Sequence, residues 1–185
     1  MRIIGGKFKG RNLEFLKSKF TRPLRDSVKE SIFNILNHSN RFEIILKNSN
    51  VLDLYSGIGS FGIECISRGS KTVTFFEKDN EVINLLKKNL TKLNLMSQTK
   101  VIHEDIERLQ NHINRKYDIF FLDPPYADDN YTKDLKKIKT SNFYKKKHII
   151  IIHRENDKVD NLDGMLNLIM IRKYGRSKIL FAKFI

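Results

Sequence analysis

Five short apolar runs, spaced by stretches of helical period, set the frame of this chain. Residues 51–55, 72–76, 100–103, 117–122 and 148–152 read as strands. Helices are expected over 60–68 and over 80–94, where Val82, Leu86, Leu90 and Leu93 share one face. A short helix follows the third strand, and a polar, Lys-rich helix covers 131–140. Residues 166–172 and 178–184, flanking Tyr174-Gly175-Arg176, read as a terminal hairpin. Strands alternating with helices imply an α/β domain, a mostly parallel, doubly wound sheet with helices on both faces. Ahead of it, residues 2–14 alternate basic and apolar around Gly5-Gly6 and Gly10, as in a small twisted hairpin. A basic loop over 15–25 leads to Ser27-x-x-Glu30, a capping box for a helix with Val28, Ile32, Ile35 and Leu36 on one face. The 185 residues are read as one domain, 1–40 a basic extension and 41–185 the core.

The first strand runs into Tyr55-Ser56-Gly57-Ile58-Gly59-Ser60-Phe61-Gly62. A strand, a glycine-rich turn and a helix open a nucleotide-type Rossmann unit, with glycines where a ligand approaches the backbone. Alone, G-x-G-x-x-G is a weak signal, because such turns also just close a strand onto a helix. The charge around it discriminates further. Asp53 precedes the turn, and no Lys or Arg lies between Val51 and Ser67. A carboxylate there repels a dinucleotide pyrophosphate and attracts the sulfonium and ammonium of S-adenosylmethionine. A strand-end cap that accepts loop N–H groups is the plainer role for Asp53, and the two are compatible.

Glu77 lies twenty residues after Gly57, where Rossmann sites place an acid for ribose hydroxyls. Asp105, at the end of the third strand, is a weaker candidate acceptor for the adenine amino group, with Glu104 beside it. The most specific motif is Asp123-Pro124-Pro125-Tyr126. The first and fourth strands of a doubly wound sheet are neighbours, so this loop should stand beside the glycine turn. Proline forces Asp123 extended, and two prolines stiffen the loop. The Asp123 carboxylate and Pro124 carbonyl then form an acceptor pair next to the Tyr126 ring. That suits a flat base with an exocyclic amine, held by both N–H bonds and stacked on the ring. The lone pair of such an amine is delocalised into the base, so catalysis would rest on orientation and electrostatics.

Charge adds a partner. The chain carries a formal +14, and residues 1–29 hold nine Lys or Arg against Glu14 and Asp26. So lopsided an arm points to a polyanion, with Arg2, Lys7, Lys9, Arg11, Arg22 and Arg25 the expected RNA contacts. Lys145-Lys146-Lys147 reads as a solvated loop. The five histidines have neither metal-ligand nor triad spacing and read as surface or core, so no metal is expected. Cys65, the only cysteine, reads as core. The start shows no signal-peptide core and no run approaches a membrane span, so a cytoplasmic, soluble monomer is expected.

Taken together, Arg2-Ile3-Ile4-Gly5-Gly6, Gly10-Arg11, Arg22-Pro23 with Asp26, Val28-Lys29-Glu30 and Phe33-Asn34-x-Leu36 resemble the bacterial RsmD family. So do residues 51–62, Ser67-Arg68-Gly69, Glu77-Lys78-Asp79 and Asp123-Pro124-Pro125-Tyr126, all in family order. The resemblance implies a class I S-adenosylmethionine-dependent methyltransferase with a Rossmann-like, seven-stranded sheet, the terminal hairpin supplying the antiparallel strand. It implies methylation of N2 of one guanine in 16S ribosomal RNA of the small subunit. By motif, Asp53, Tyr55, Gly57, Glu77, Lys78 and Asp105, with Gly59, would face the cofactor, and Asp123, Pro124, Pro125 and Tyr126 the guanine. A DNA adenine-N6 methyltransferase shares the Asp-Pro-Pro-Tyr logic, but 185 residues leave little room for a target-recognition region. A non-catalytic rRNA-binding assembly factor and, third, a nicotinamide dehydrogenase complete the alternatives.

Overall fold

A computed structural model of the chain describes residues 1–15, 24–39, 41–128 and 130–185. Seven strands form one sheet: β1 (Asn50–Leu54), β2 (Thr72–Glu77), β3 (Thr99–His103), β4 (Tyr117–Leu122), β5 (Tyr144–Glu155), β6 (Leu166–Tyr174) and β7 (Ser177–Phe184). Their order is β3-β2-β1-β4-β5-β7-β6. The first five run parallel, and β7 inserts antiparallel between β5 and β6. Among the described residues four α-helices accompany them: α1 (Asp26–His38), α2 (Ser60–Ser67), α3 (Asn80–Lys92) and α4 (Tyr131–Thr140). This is the doubly wound, mostly parallel sheet expected from the alternation, and it makes β1 and β4 neighbours.

Each sheet face carries its own core. Val51, Phe75, Ile119, Phe121, Ile149 and Ile151 pack under α1, α2 and α3. Leu52, Phe76, Phe120, Ile150 and Ile152 pack with Leu135 and Ile138 of α4 on the other face. Because strand residues alternate between faces, Asp53 near the end of β1 and His153 and Arg154 near the end of β5 go to known sides of the sheet, and Asp123 directly follows β4. Phe33, Phe61 and Phe121 stack in series, with centroids 5.3 and 3.9 Å apart, and tie α1 and α2 to the end of β4. Ile3, Leu13 and Leu24 belong to the same buried cluster, so the N-terminal segment shares the core of the sheet.

Several local expectations are corrected. Residues 2–14 pair as a hairpin but without full strands: Ile3 N–H donates to the Arg11 carbonyl (2.9 Å), Gly10 N–H to that of Ile3 (2.8 Å) and Leu13 N–H to that of Met1 (2.8 Å), around one antiparallel bridge, Arg2 to Asn12, and a 3-10 turn, Gly6–Phe8. The outer edge of this pairing docks on α2, where Ile4 N–H donates to Glu64 (2.8 Å) and Phe8 N–H to Ser67 (3.0 Å). Gly6 (φ +72°) presses on α2 so closely that a Cβ would lie 1.9 Å from the Ser67 carbonyl oxygen. The Ser27 capping box does not form, since the N-cap of α1 is Arg25, two residues earlier, with no side-chain cap. Lys145-Lys146-Lys147 lies within β5, not in a loop, and Lys145 pairs with Asp118 at 2.8 Å. α3 stops at Lys92 rather than at Asn94, which takes a left-handed φ of 56°.

Candidate active site

The carboxyl ends of β1, β2 and β4 open into one cleft of about 750 Å³, walled also by residues from α4, β5 and the N-terminal segment. Such a crevice outside the strand ends is where open α/β sheets bind ligands. Nine of its lining residues are carboxylic acids and three are lysines, so the cleft is acidic within a chain of net charge +14.

Asp53 leaves β1 on the α2 side and is buried. Its Oδ2 accepts the Gly62 N–H at 2.9 Å, which is the expected cap, while its Oδ1 has no hydrogen-bond partner. Burial pushes its carboxyl well above the usual range, Asp123 and Glu77 add repulsion, and the Gly62 N–H offsets only part of this. Gly59 caps α2 in a left-handed conformation (φ 84°), and a Cβ there would meet Leu86 at 2.4 Å. Glu77 binds the turn back to β2, accepting Gly57 N–H at 2.8 Å through Oε2 and the Lys78 and Asp79 N–H groups at 2.9 Å through Oε1. A carboxylate has about four acceptor positions, so room for one further donor remains. Lys78 pairs with Asp105 at 3.4 Å, and Asp105 also caps the 3-10 helix Ile106–Asn111 through Glu107 N–H. That N–H first, and Lys78 with it, hold the Asp105 carboxyl below the usual range. Tyr55 adopts a left-handed φ of 57° and donates its hydroxyl to Asp134 of α4 at 2.5 Å. Burial pushes both the Tyr55 hydroxyl and the Asp134 carboxyl up.

The 123–126 loop stands directly beside this turn, since Leu54 pairs with Leu122 and Asp123 N–H reaches the Leu54 carbonyl at 3.5 Å. Pro124 is buried, Pro125 exposed, and Asp123 and Tyr126 half-buried on the cleft. His153 Nδ1 lies 2.9 Å from Asp123 Oδ1, and its Nε2 lies 3.5 Å from the Tyr126 hydroxyl. His153 was missed by the sequence reading, which left it among surface or core histidines. No local signal marks it, because its role is a contact with Asp123 thirty residues away.

The basic set is split. Lys7, Lys9 and Arg11 are exposed on the docked N-terminal loop, Arg25 is exposed at the α1 N-cap, and Arg2 is exposed but paired with Asp26 at 2.9 Å. Arg22 lies outside the described residues. Among the described residues no group of His, Cys, Asp and Glu is arranged to hold a metal, and no helix is long and apolar enough to cross a membrane.

Residues 1–183 match the family described as Conserved hypothetical protein 95. The chain belongs to this family, the RsmD methyltransferase family of the motif resemblance. It is 37% identical over 161 residues to Ribosomal RNA small subunit methyltransferase D of Haemophilus influenzae, covering 85% of this chain and 80% of that one. It is 32% identical to the putative rRNA methyltransferase YlbH of Bacillus subtilis, covering 99% and 98%. Among solved structures, a putative methylase from Haemophilus influenzae superposes with a TM-score of 0.77 at 30% identity, covering 98% and 96%. A putative methyltransferase of Escherichia coli has a TM-score of 0.84 at 23% identity, covering 100% and 97%, a likeness of fold.

Proposed function

We propose that this methyltransferase uses S-adenosylmethionine to methylate the exocyclic N2 amine of a guanine in 16S rRNA of the small ribosomal subunit. The observation that carries the reading is the juxtaposition, in one acidic cleft, of the Asp53 turn and the rigid 123–126 loop. The named relatives, rRNA small subunit methyltransferase D and a putative rRNA methyltransferase, support the substrate class.

The residues fit the cofactor by their chemistry. Asp53 presents a buried carboxylate oxygen that no protein donor satisfies, in a wall of the cleft rich in carboxylates and poor in cations. An unpaired buried charge is costly, and a cationic ligand removes that cost. Asp53, Tyr55, Gly57, Gly59, Glu77, Lys78 and Asp105 would hold the group; when bound, it supplies an electrophilic methyl on a sulfonium.

The chain's part is orientation and proton management. Asp123 Oδ1 is engaged by His153, which leaves Oδ2 to face an incoming amine. The Asp123 carboxylate and the Pro124 carbonyl accept the two N–H bonds, and Tyr126 stacks on the base. Held this way, the nitrogen lone pair turns out of conjugation with the ring, a positioning effect worth several powers of ten in rate. Once alkylated, the nitrogen carries one proton too many, and Asp123 is the carboxylate placed to take it.

The test is transfer of labelled methyl to small subunits lacking the modification, with naked 16S RNA and unmethylated DNA alongside. N2-methylguanosine from ribosomal RNA is the expected product. N6-methyladenine in DNA would refute the reading, and so would binding of subunits without any label.

A further inference from the structure

Two consecutive side chains of β5 leave the sheet on opposite faces, and both end on the 123–126 loop. Ile149 and Ile151 pack on the α2 side and Ile150 and Ile152 on the α4 side, so alternation sends His153 to the first and Arg154 to the second. On the α2 side, His153 is almost fully buried, with 7% of its side chain exposed, and reaches Asp123 Oδ1 at 2.9 Å. On the α4 side, Arg154 is wholly buried. Its Nη1 donates to the carbonyl oxygens of Asp128 at 3.0 Å and Pro125 at 3.3 Å, and its Nε to Asp160 Oδ1 at 2.9 Å. The guanidinium lies 4.5 Å over the Tyr131 ring, whose hydroxyl donates to the same Asp160 oxygen at 2.6 Å.

We propose that His153 and Arg154 are a two-sided clamp, a pair of positioning residues that presets the 123–126 loop for the base amine. This rests on the reading of that loop as the base site and adds the residues that orient it. Asp123 in its carboxylate form only accepts, so His153 carries its proton on Nδ1 and turns Nε2 toward the Tyr126 hydroxyl. One hydrogen-bonded ring therefore fixes both the acceptor and the stacking side chain of the loop. Asp123 is left with one oxygen engaged and the other directed by the constraint.

Arg154 does for the loop backbone what His153 does for the carboxylate. Charge balance with Asp160 alone does not account for it, because Lys178 also lies 2.9 Å from Asp160. Only the forked guanidinium can hold Asp160 and two loop carbonyls at once; an ammonium cannot span them. Pro124 and Pro125 stiffen the loop internally, and the two β5 side chains fix it to the sheet.

The test compares His153→Asn, His153→Gln and Arg154→Lys in the full chain. The Asn amide can take the place of Nδ1 and donate to Asp123, whereas the Gln amide extends to the place of Nε2. The clamp predicts that His153→Asn stays within several-fold of the parent kcat. His153→Gln should lose on the order of a hundredfold, and Arg154→Lys should also fall in kcat. Cofactor affinity by calorimetry should hold in all three. In the free protein, ring nitrogen NMR shifts should place the His153 proton on Nδ1. Equal rates for Asn and Gln, or a proton on Nε2, would overturn the clamp; if Arg154→Lys fails to fold, the His153 series and the NMR still decide. Asp123→Ala at parental rate would sink the base-site reading itself. A dead Asp123→Ala beside fully active His153 and Arg154 variants would sink the clamp alone.

Discussion

Asp53 accepts the Gly62 N–H at 2.9 Å with one carboxylate oxygen and leaves the other, buried in the cleft wall, without a partner. The first contact closes β1 onto α2 and needs no ligand. The second oxygen is unexplained by the fold alone and is what a cationic ligand would satisfy. Asp53→Asn keeps the shape and removes the charge, so cofactor affinity should fall by at least about tenfold, the worth of a charge-assisted hydrogen bond. Calorimetric titration of the parent and variant measures it, and equal affinities would remove Asp53 from the cofactor site.

The same carboxyl gives a stability prediction of opposite sign. Its value in the folded protein is raised, mainly by burial. Between its unfolded and folded values, the folded state therefore binds more protons, and stability falls as pH climbs through that window. Asp53→Asn removes this loss, so the ligand-free variant should be at least as stable as the parent at pH 8 and gain least at pH 4. Urea unfolding at the two pH values checks it. A parent whose stability advantage over the variant grows with pH would contradict the assignment.

Asp123→Ala should cut turnover at least about a hundredfold, the usual cost of removing one preorganised electrostatic contact. Cofactor binding should survive, because the Asp53 turn is built from β1, β2 and α2 without Asp123. Single-turnover methyl transfer and calorimetry on the same preparation separate the two effects.

How much of this was legible in the sequence depends on where each partner lies. The sheet was readable because its strands are local apolar runs, and the glycine turn and Asp-Pro-Pro-Tyr loop because each sits within one segment. The β1–β4 neighbourhood then followed from topology alone. His153 was not readable: its function is a contact with Asp123, thirty residues away, and nothing in Ile-Ile-His-Arg announces it. Ser27 failed as a cap for the reverse reason, since a motif read locally lost to a helix that starts at Asp26. The pairing within 2–14 was legible in its alternation, but its docking was not, since Glu64 and Ser67, which accept from Ile4 and Phe8 N–H, lie on a distant helix.

That docking predicts a stability effect. Lys29 is wholly buried, donating to the Arg2 carbonyl at 2.8 Å and to Ser60 at 3.2 Å, with Glu64 at 3.7 Å. It ties α1, α2 and the N-terminal segment at one point, directly behind the cleft wall that Ser60 and Met1 share. Lys29→Ala leaves Glu64 with the Arg68 guanidinium at 2.7 Å and the Ile4 N–H at 2.8 Å. Removing one partner of a buried pair costs about 3 kcal/mol, and that loss is expected in urea unfolding. A loss well below 1 kcal/mol would mean that Arg68 and the Ile4 N–H suffice to compensate Glu64.

The exposed basic side chains of the docked loop make the last prediction. RNA affinity should fall steeply with salt, and each phosphate contact removed should lower the log–log slope by somewhat under one unit. Lys7, Lys9 and Arg11 point into solvent from a loop held rigidly on α2, so replacing them together with Gln should flatten the slope clearly. Arg2 is also exposed, but its guanidinium is already engaged by Asp26 at 2.9 Å, so Arg2→Gln alone should change the slope least. Binding of small subunits at several salt concentrations separates the variants. An unchanged slope in the triple variant would mean that this face of the loop does not meet RNA, and a large Arg2 effect would mean that the Asp26 pair opens on binding.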